Sequence, residues 1–201
     1  MATQIYTFKI TYVGCAHKIW RVAAVSSNET LGDLGYLVLA TFDTMAYHLF
    51  EIKYKNVAYL LSMEEKDAFS PLSREMFGLL SECKLSSLNL KPLDILEMIY
   101  DFGCNQRFEI QFLEASDMPR GHGRAYPKIL SGEGRGILED VYADELLQII
   151  RSIDRGEHSQ RWYPPDSIVE WDYRSYSLDY DNALLKGERN RIKAAYETCE
   201  V

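Results

Sequence analysis

A chain of 201 residues with 47% hydrophobic, 26% charged and 12% aromatic side chains has the material for one packed domain with an appended lobe, and too much apolar content to stay disordered. No apolar run approaches the roughly 20 residues that cross a bilayer, and Met1-Ala2-Thr3-Gln4 is not the basic-then-apolar opening of a secretory signal, so a cytoplasmic setting away from membranes is expected. Lys and Arg number 22 against 30 Asp and Glu, for a formal charge of −8; this balance repels polyphosphate at long range and favours a protein partner over nucleic acid.

Residues 4–12 alternate, with Ile5, Thr7, Lys9 and Thr11 on one side and Tyr6, Phe8, Ile10 and Tyr12 on the other. A period of two predicts a half-buried strand. After a turn at Gly14, residues 18–25 form a second strand, antiparallel to the first. Thr30 followed by Asp33 reads as a helix N-cap, and Leu31, Leu34 and Val38 continue at helical spacing, which predicts a helix over 30–42. Residues 47–54 and 57–63 form a strand pair joined at Lys55-Asn56. Pro71 precedes a short helix at 72–80. Residues 95–102 and 107–113 make another strand pair around Gly103-Cys104-Asn105, with Phe108, Ile110 and Phe112 as the apolar face. Residues 115–140 read as loop, with five glycines between Gly121 and Gly136. A helix over 142–153 follows, then a polar, aromatic stretch to 182 broken by Pro164-Pro165, then helical spacing over 183–197. The expected class is α+β: a mixed, largely antiparallel sheet built of strand pairs, with three to four helices packed on it. The expected division is a core at 4–153 and a C-terminal extension at 154–201.

The glycine-rich loop invites an anion-binding reading, because glycines let backbone amides approach a ligand. Arg120, Arg124, Lys128 and Arg135 outnumber Asp117 and Glu133 between 117 and 136. There is no Gly-Lys-Ser/Thr ending and no dinucleotide glycine spacing, so a surface loop is the simpler reading. The histidines His17, His48, His122 and His158 are scattered. His48 and Glu51 on one strand would point to opposite faces, which leaves no metal site assigned. Asp101-Phe102-Gly103 matches the kinase metal triplet in letters only, since every other kinase motif is missing. Cys15, Cys83, Cys104 and Cys199 are widely spaced and read as free thiols; Cys104 has nothing adjacent that would activate it. The Trp162–Asp181 stretch combines aromatic rings with carboxylates and reads as a flap over the sheet or as a surface for a basic partner.

Several short motifs occur in a characteristic order: Ile19-Trp20-Arg21, Thr30-Leu31, His48-Leu49, Tyr100-Asp101-Phe102-Gly103, Tyr126-Pro127, Gly132-Glu133-Gly134, Glu139-Asp140, and Tyr176-Ser177-Leu178-Asp179 leading to Asn182. In this the chain resembles the plasmid pRiA4b third-open-reading-frame-like family, often labelled transposon passenger or resolvase-like, over about residues 4–185. The resemblance implies an α+β fold, a place on mobile elements and a largely undefined role; neither recombinase arrangement accompanies the resolvase label. The family pattern carries acidic residues, Trp and His after Tyr-Asp-Phe-Gly, where this chain has Cys104, Asn105, Gln106 and Phe108. It carries a second His where this chain has Phe50, and a Cys-containing segment where it has Arg135-Gly136-Ile137-Leu138.

The leading expectation is a non-enzymatic binding or adaptor protein of a mobile element, without a cofactor. Its contact surface would use Tyr100, Asp101, Arg120, Arg124, Lys128, Arg135, Trp162 and Trp171. One alternative is an acidic inhibitor that occupies the nucleic-acid groove of a basic protein. A second is a metal-dependent hydrolase or nuclease-like enzyme on Asp101, Glu133, Glu139 and Asp140, which requires at least three of these carboxylates to meet within metal-bridging distance.

Overall fold

The computed structural model describes residues 3–15, 18–64, 76–119, 121, 123–157 and 171–198. Among the described residues eight strands form one sheet: β1 (Gln4–Tyr12), β2 (Trp20–Ser26), β3 (Phe50–Tyr54), β4 (Val57–Leu60), β5 (Met76–Leu79), β6 (Ile95–Tyr100), β7 (Gln106–Asp117) and β8 (Lys128–Glu133). Their spatial order is β5-β4-β3-β6-β7-β1-β2-β8. Every pairing is antiparallel except β4 with β5. Among the described residues there are three α-helices, α1 (Leu31–Thr41), α2 (Ala143–Asp154) and α3 (Leu178–Thr198), and the class is α+β as expected. None of these helices is long and apolar enough to cross a membrane.

The alternation in β1 sets the core. Phe8, Ile10 and Tyr12 are fully buried beside Phe108, Ile110 and Phe112 of β7, while Lys9, Arg107 and Glu109 are exposed. α1 is closed by the expected capping box: the Thr30 hydroxyl accepts the Asp33 amide at 3.1 Å, and the Asp33 carboxylate accepts the Thr30 amide at 3.0 Å. α1 lies between β3 and α3, which explains why Leu31, Leu34, Leu37, Val38 and Tyr36 are all buried.

Three expectations need correction. Residues 76–79 form β5, a parallel edge strand, in place of the end of a helix; residues 72–75 lie outside the described set. The expected loop at 115–140 contains the last residues of β7 and all of β8. α3 begins at Leu178, ahead of the expected 183.

β8 escaped notice because Gly132 and Gly134 suggested a loop. Their small size serves packing. A Cβ on Gly132 would lie 2.7 Å from Arg21 Cδ and 2.9 Å from the Trp20 carbonyl; Gly134 has φ +76°, and a Cβ there would lie 2.1 Å from the Lys18 carbonyl. The free edge of β8 is covered by a side chain from α3. Asn182 Oδ1 accepts the Ile129 amide and Asn182 Nδ2 donates to the Ile129 carbonyl, both at 2.9 Å.

Arg21 fixes α3 to the sheet. Its side chain is fully buried and uses every N–H. Nε donates to Thr41 Oγ1 (3.1 Å) and Asp181 Oδ2 (3.2 Å); Nη1 donates to the Trp20 and Glu133 carbonyls, and Nη2 to those of Thr41 and Arg135. The guanidinium also lies 3.9 Å from the Tyr176 ring centre.

Candidate metal centre

β3 and β6 run antiparallel with Phe50 opposite Tyr100. Just past this pair the Asp101 amide donates to the Leu49 carbonyl at 3.1 Å. The residue before β3 and the residue after β6 therefore meet at one end of the sheet. Asp101 sits at φ +53°, a left-handed conformation that aspartate tolerates better than most residues. Its Oδ1 accepts the amides of Gly103 (3.0 Å) and Cys104 (3.2 Å), and this Asx turn leaves Oδ2 3.6 Å from His48 Nε2.

The loop before α2 brings in two more carboxylates. Asp140, at φ +57°, accepts the Tyr47 hydroxyl on Oδ2 and places Oδ1 3.0 Å from His48 Nε2. Glu139 accepts the Met45 amide on Oε2 at 2.7 Å and the Tyr100 hydroxyl on Oε1 at 2.5 Å; Oε1 is 3.9 Å from the same imidazole nitrogen. The His48 ring lies against Tyr47, centroids 4.3 Å apart, and meets the Tyr100 ring edge-on. The His48 carbonyl accepts the Tyr196 hydroxyl from α3.

Burial and hydrogen bonding separate the two neighbouring carboxyls. Burial pushes Glu139 up, against the bonds from Tyr100 and Met45. The Tyr47 hydroxyl holds Asp140 below the ordinary carboxylate range. Burial, and then the Asp101 carboxylate, push the Cys104 thiol up to about 11, so it is no ready nucleophile.

One ligand atom each from His48, Asp101 and Asp140 lies within 4.8 Å of the others. Two ligands on one ion can be at most about 4.4 Å apart at zinc-type bond lengths and about 5.2 Å at calcium-type lengths. The three groups thus fit around a single cation with closure of a few tenths of an ångström. One imidazole with two carboxylates suits Mn²⁺, Fe²⁺ or Zn²⁺. Each aspartate has one oxygen anchored by a protein donor and the other turned to the common centre, which is how outer-shell bonds orient metal ligands.

Of the carboxylates weighed from the sequence, Asp101, Glu139 and Asp140 come together and Glu133 stands apart, bonded to Trp20 Nε1 at 3.3 Å. His48 is the member that sequence reasoning set aside. It lies just before the strand, and its partners are Asp101 and Asp140 in place of Glu51. The remaining candidates are dispersed. Tyr100 is fully buried and Trp171 is 8% exposed, so both belong to the core. Lys128 is exposed at the start of β8. Arg135 Nε pairs with Asp43 at 3.0 Å. Arg120, Trp162 and the Arg124 side chain lie outside the described residues. Phe50 and Phe108, which stand where the family pattern has histidines, are fully buried among other rings. The described cysteines, Cys15, Cys83 and Cys104, are free thiols, as expected.

No curated protein matches the chain. The crystal structure of a protein of unknown function from Methanosarcina mazei Go1 superposes with a TM-score of 0.70 at 20% identity, covering 90% of this chain and 98% of that one; the two share a fold. A family model described as plasmid pRiA4b ORF-3-like protein matches residues 4–183, a span that contains His48, Asp101, Glu139 and Asp140. The chain belongs to the plasmid pRiA4b ORF-3-like family.

Proposed function

We propose that the protein binds one divalent cation through His48, Asp101 and Asp140, and that the centre is of the catalytic kind, supporting metal-assisted hydrolysis. The carrying observation is the convergence of these three ligand atoms from three separate segments within 4.8 Å. Structural sites typically close the ion with four protein ligands, whereas catalytic sites use three and keep a position open. Among the described residues there are three, and the Asp140 side chain is 62% exposed, which turns the fourth direction toward solvent. A divalent cation supplies Lewis-acid chemistry to a substrate oxygen and to water. The residues hold the ligands in place: Tyr47 anchors Asp140, the Gly103 and Cys104 amides anchor Asp101, and Met45 and Tyr100 hold Glu139 alongside.

Calorimetric titration of chelator-treated protein with Mn²⁺ or Zn²⁺ tests the reading. One ion per chain is expected, with uptake lost in Asp101→Asn while the circular-dichroism spectrum is kept. No stoichiometric uptake of either ion would overturn it and leave a binding or adaptor module as the better account. The burial of Tyr100 and Trp171 weighs against the contact surface first expected for such a module.

A further inference from the structure

We infer that the metal centre acts on neutral molecules with a long apolar group, and that this group lies in the groove between α1, α3 and the segment before β3. The inference rests on the metal reading above and names its substrate class. The groove is a cavity of about 630 Å³ whose walls include Tyr36, Tyr47, Leu49, Leu61, Ala195 and Tyr196. That size and an aromatic and aliphatic lining are the ordinary character of a small-molecule site. Tyr47 and Leu49 flank His48 and remain 53% and 48% exposed, an apolar patch placed beside a polar cluster.

Two contacts join the groove to the centre. Tyr47 lines the groove, lies against the His48 ring and donates to Asp140. Tyr196 lines it from α3 and donates to the His48 carbonyl. A molecule whose apolar body lies along these two rings would have its polar end beside Tyr47, which touches the side chains of both His48 and Asp140. Charge selects the nature of that end. Three carboxylates around a dication leave one negative charge, while Glu197 on the groove is paired with Lys193 at 3.6 Å. Among the described residues, the groups bonded to the three carboxylates are an imidazole, tyrosine hydroxyls, the Cys104 thiol and backbone amides, with no lysine or arginine. Phosphate esters and nucleic-acid backbones meet repulsion here, whereas a neutral carboxylic ester or amide does not. In its hydrolysis, water adds to the carbonyl carbon, the bond from that carbon to the alkoxy oxygen or amide nitrogen breaks, and the leaving group departs with a proton as alcohol or amine.

The test uses full-length protein whose Mn²⁺ uptake has first been measured by calorimetry. Alkyl hydroxamates serve as probes that pair a metal-binding end with a tail of chosen length. Octanohydroxamate is expected to bind at least about tenfold more tightly than acetohydroxamate, since each buried methylene is worth about fourfold. Octylphosphonate is expected to bind at least tenfold more weakly than octanohydroxamate. Ala195→Trp, on an exposed position of α3, fills the groove and should erase the preference for the long tail, so that octanohydroxamate binds no more tightly than acetohydroxamate. Equal affinity for both hydroxamates on Mn²⁺-loaded protein, or a preference that survives Ala195→Trp, overturns the groove inference and leaves the metal reading standing. A phosphonate that binds as tightly as the hydroxamate overturns the charge selection. Sedimentation that shows a dimer split by Ala195→Trp makes the groove an interface between copies and overturns the inference. Absence of Mn²⁺ uptake is the separate failure of the metal reading itself.

Discussion

Arg21 and His48 each gather polar groups from distant parts of the chain, and they differ in what they leave unused. Around Arg21 every N–H has an acceptor, the guanidinium is fully buried, and Gly132 lets the backbone close over it. Around His48 each aspartate keeps one oxygen aimed at the imidazole, and the cluster is open on the Asp140 side. A satisfied, buried polar cluster is a fastening, because its bonds replace those lost to water and nothing is left for a ligand. A cluster of like-charged groups held together at an open surface stores repulsion that a cation relieves. Motif residues therefore divide by their surroundings, since both clusters draw on the same set of family motifs.

The contrast can be broken most forcefully at the fastening. Arg21→Met leaves Asp181 and four carbonyls without their donor and should lower unfolding free energy by about 3–5 kcal/mol in urea titrations. Arg21→Lys should not rescue it, because a single ammonium cannot replace the fork. A loss under about 1 kcal/mol would mean that the node is not what holds α3. At the open cluster the expectation reverses. His48→Gln should change unfolding free energy by less than about 1 kcal/mol, yet weaken Mn²⁺ binding by more than the about 100-fold that an outer-shell change costs; Tyr47→Phe should fall within that outer-shell range. A smaller effect belongs to the edge of β8. Asn182→Ala strips the Ile129 amide and carbonyl of their partners and should cost about 1–2 kcal/mol, with raised self-association by light scattering. The smallest is a matter of pH. Burial raises the Asp33 carboxyl, but the Lys193 ammonium and the Thr30 amide and hydroxyl outweigh it and hold it low. Its stabilisation should be complete above the ordinary carboxylate range and disappear as pH falls through the depressed value, and Asp33→Asn should flatten that limb of the stability–pH curve.

β7 carries its burial pattern in the letters; β1, β2 and β6 were legible as strands although each buries consecutive residues on both faces, at Ile5–Phe8, Ala23–Val25 and Met98–Tyr100, and Thr30 with Asp33 announced α1. β5 was not, because a parallel edge strand of four residues is defined by its partner β4 and has no pattern of its own. β8 was obscured by glycines whose reason lies more than a hundred positions earlier, Arg21 and Trp20 for Gly132, Lys18 and Ile19 for Gly134. The metal cluster was half legible. Asp101, Glu139 and Asp140 drew notice as carboxylates and as motif members, but His48 and Asp140 are 92 residues apart. Only the register of β3 on β6, together with the left-handed bends at Asp101 and Asp140, brings them within reach. The order of the motifs along the chain was the available signal for His48, and local spacing argued against it.

The hydrogen bond from Tyr196 to the His48 carbonyl ties the last turns of the longest helix to the loop that carries the imidazole. Its ring is gripped by Tyr36 and Phe50, so the tail of the chain behaves as a clasp on the cation site. Cutting the protein short before Tyr196, or prying that turn loose with a bulky fusion, would slacken a pocket made of residues it never touches in sequence.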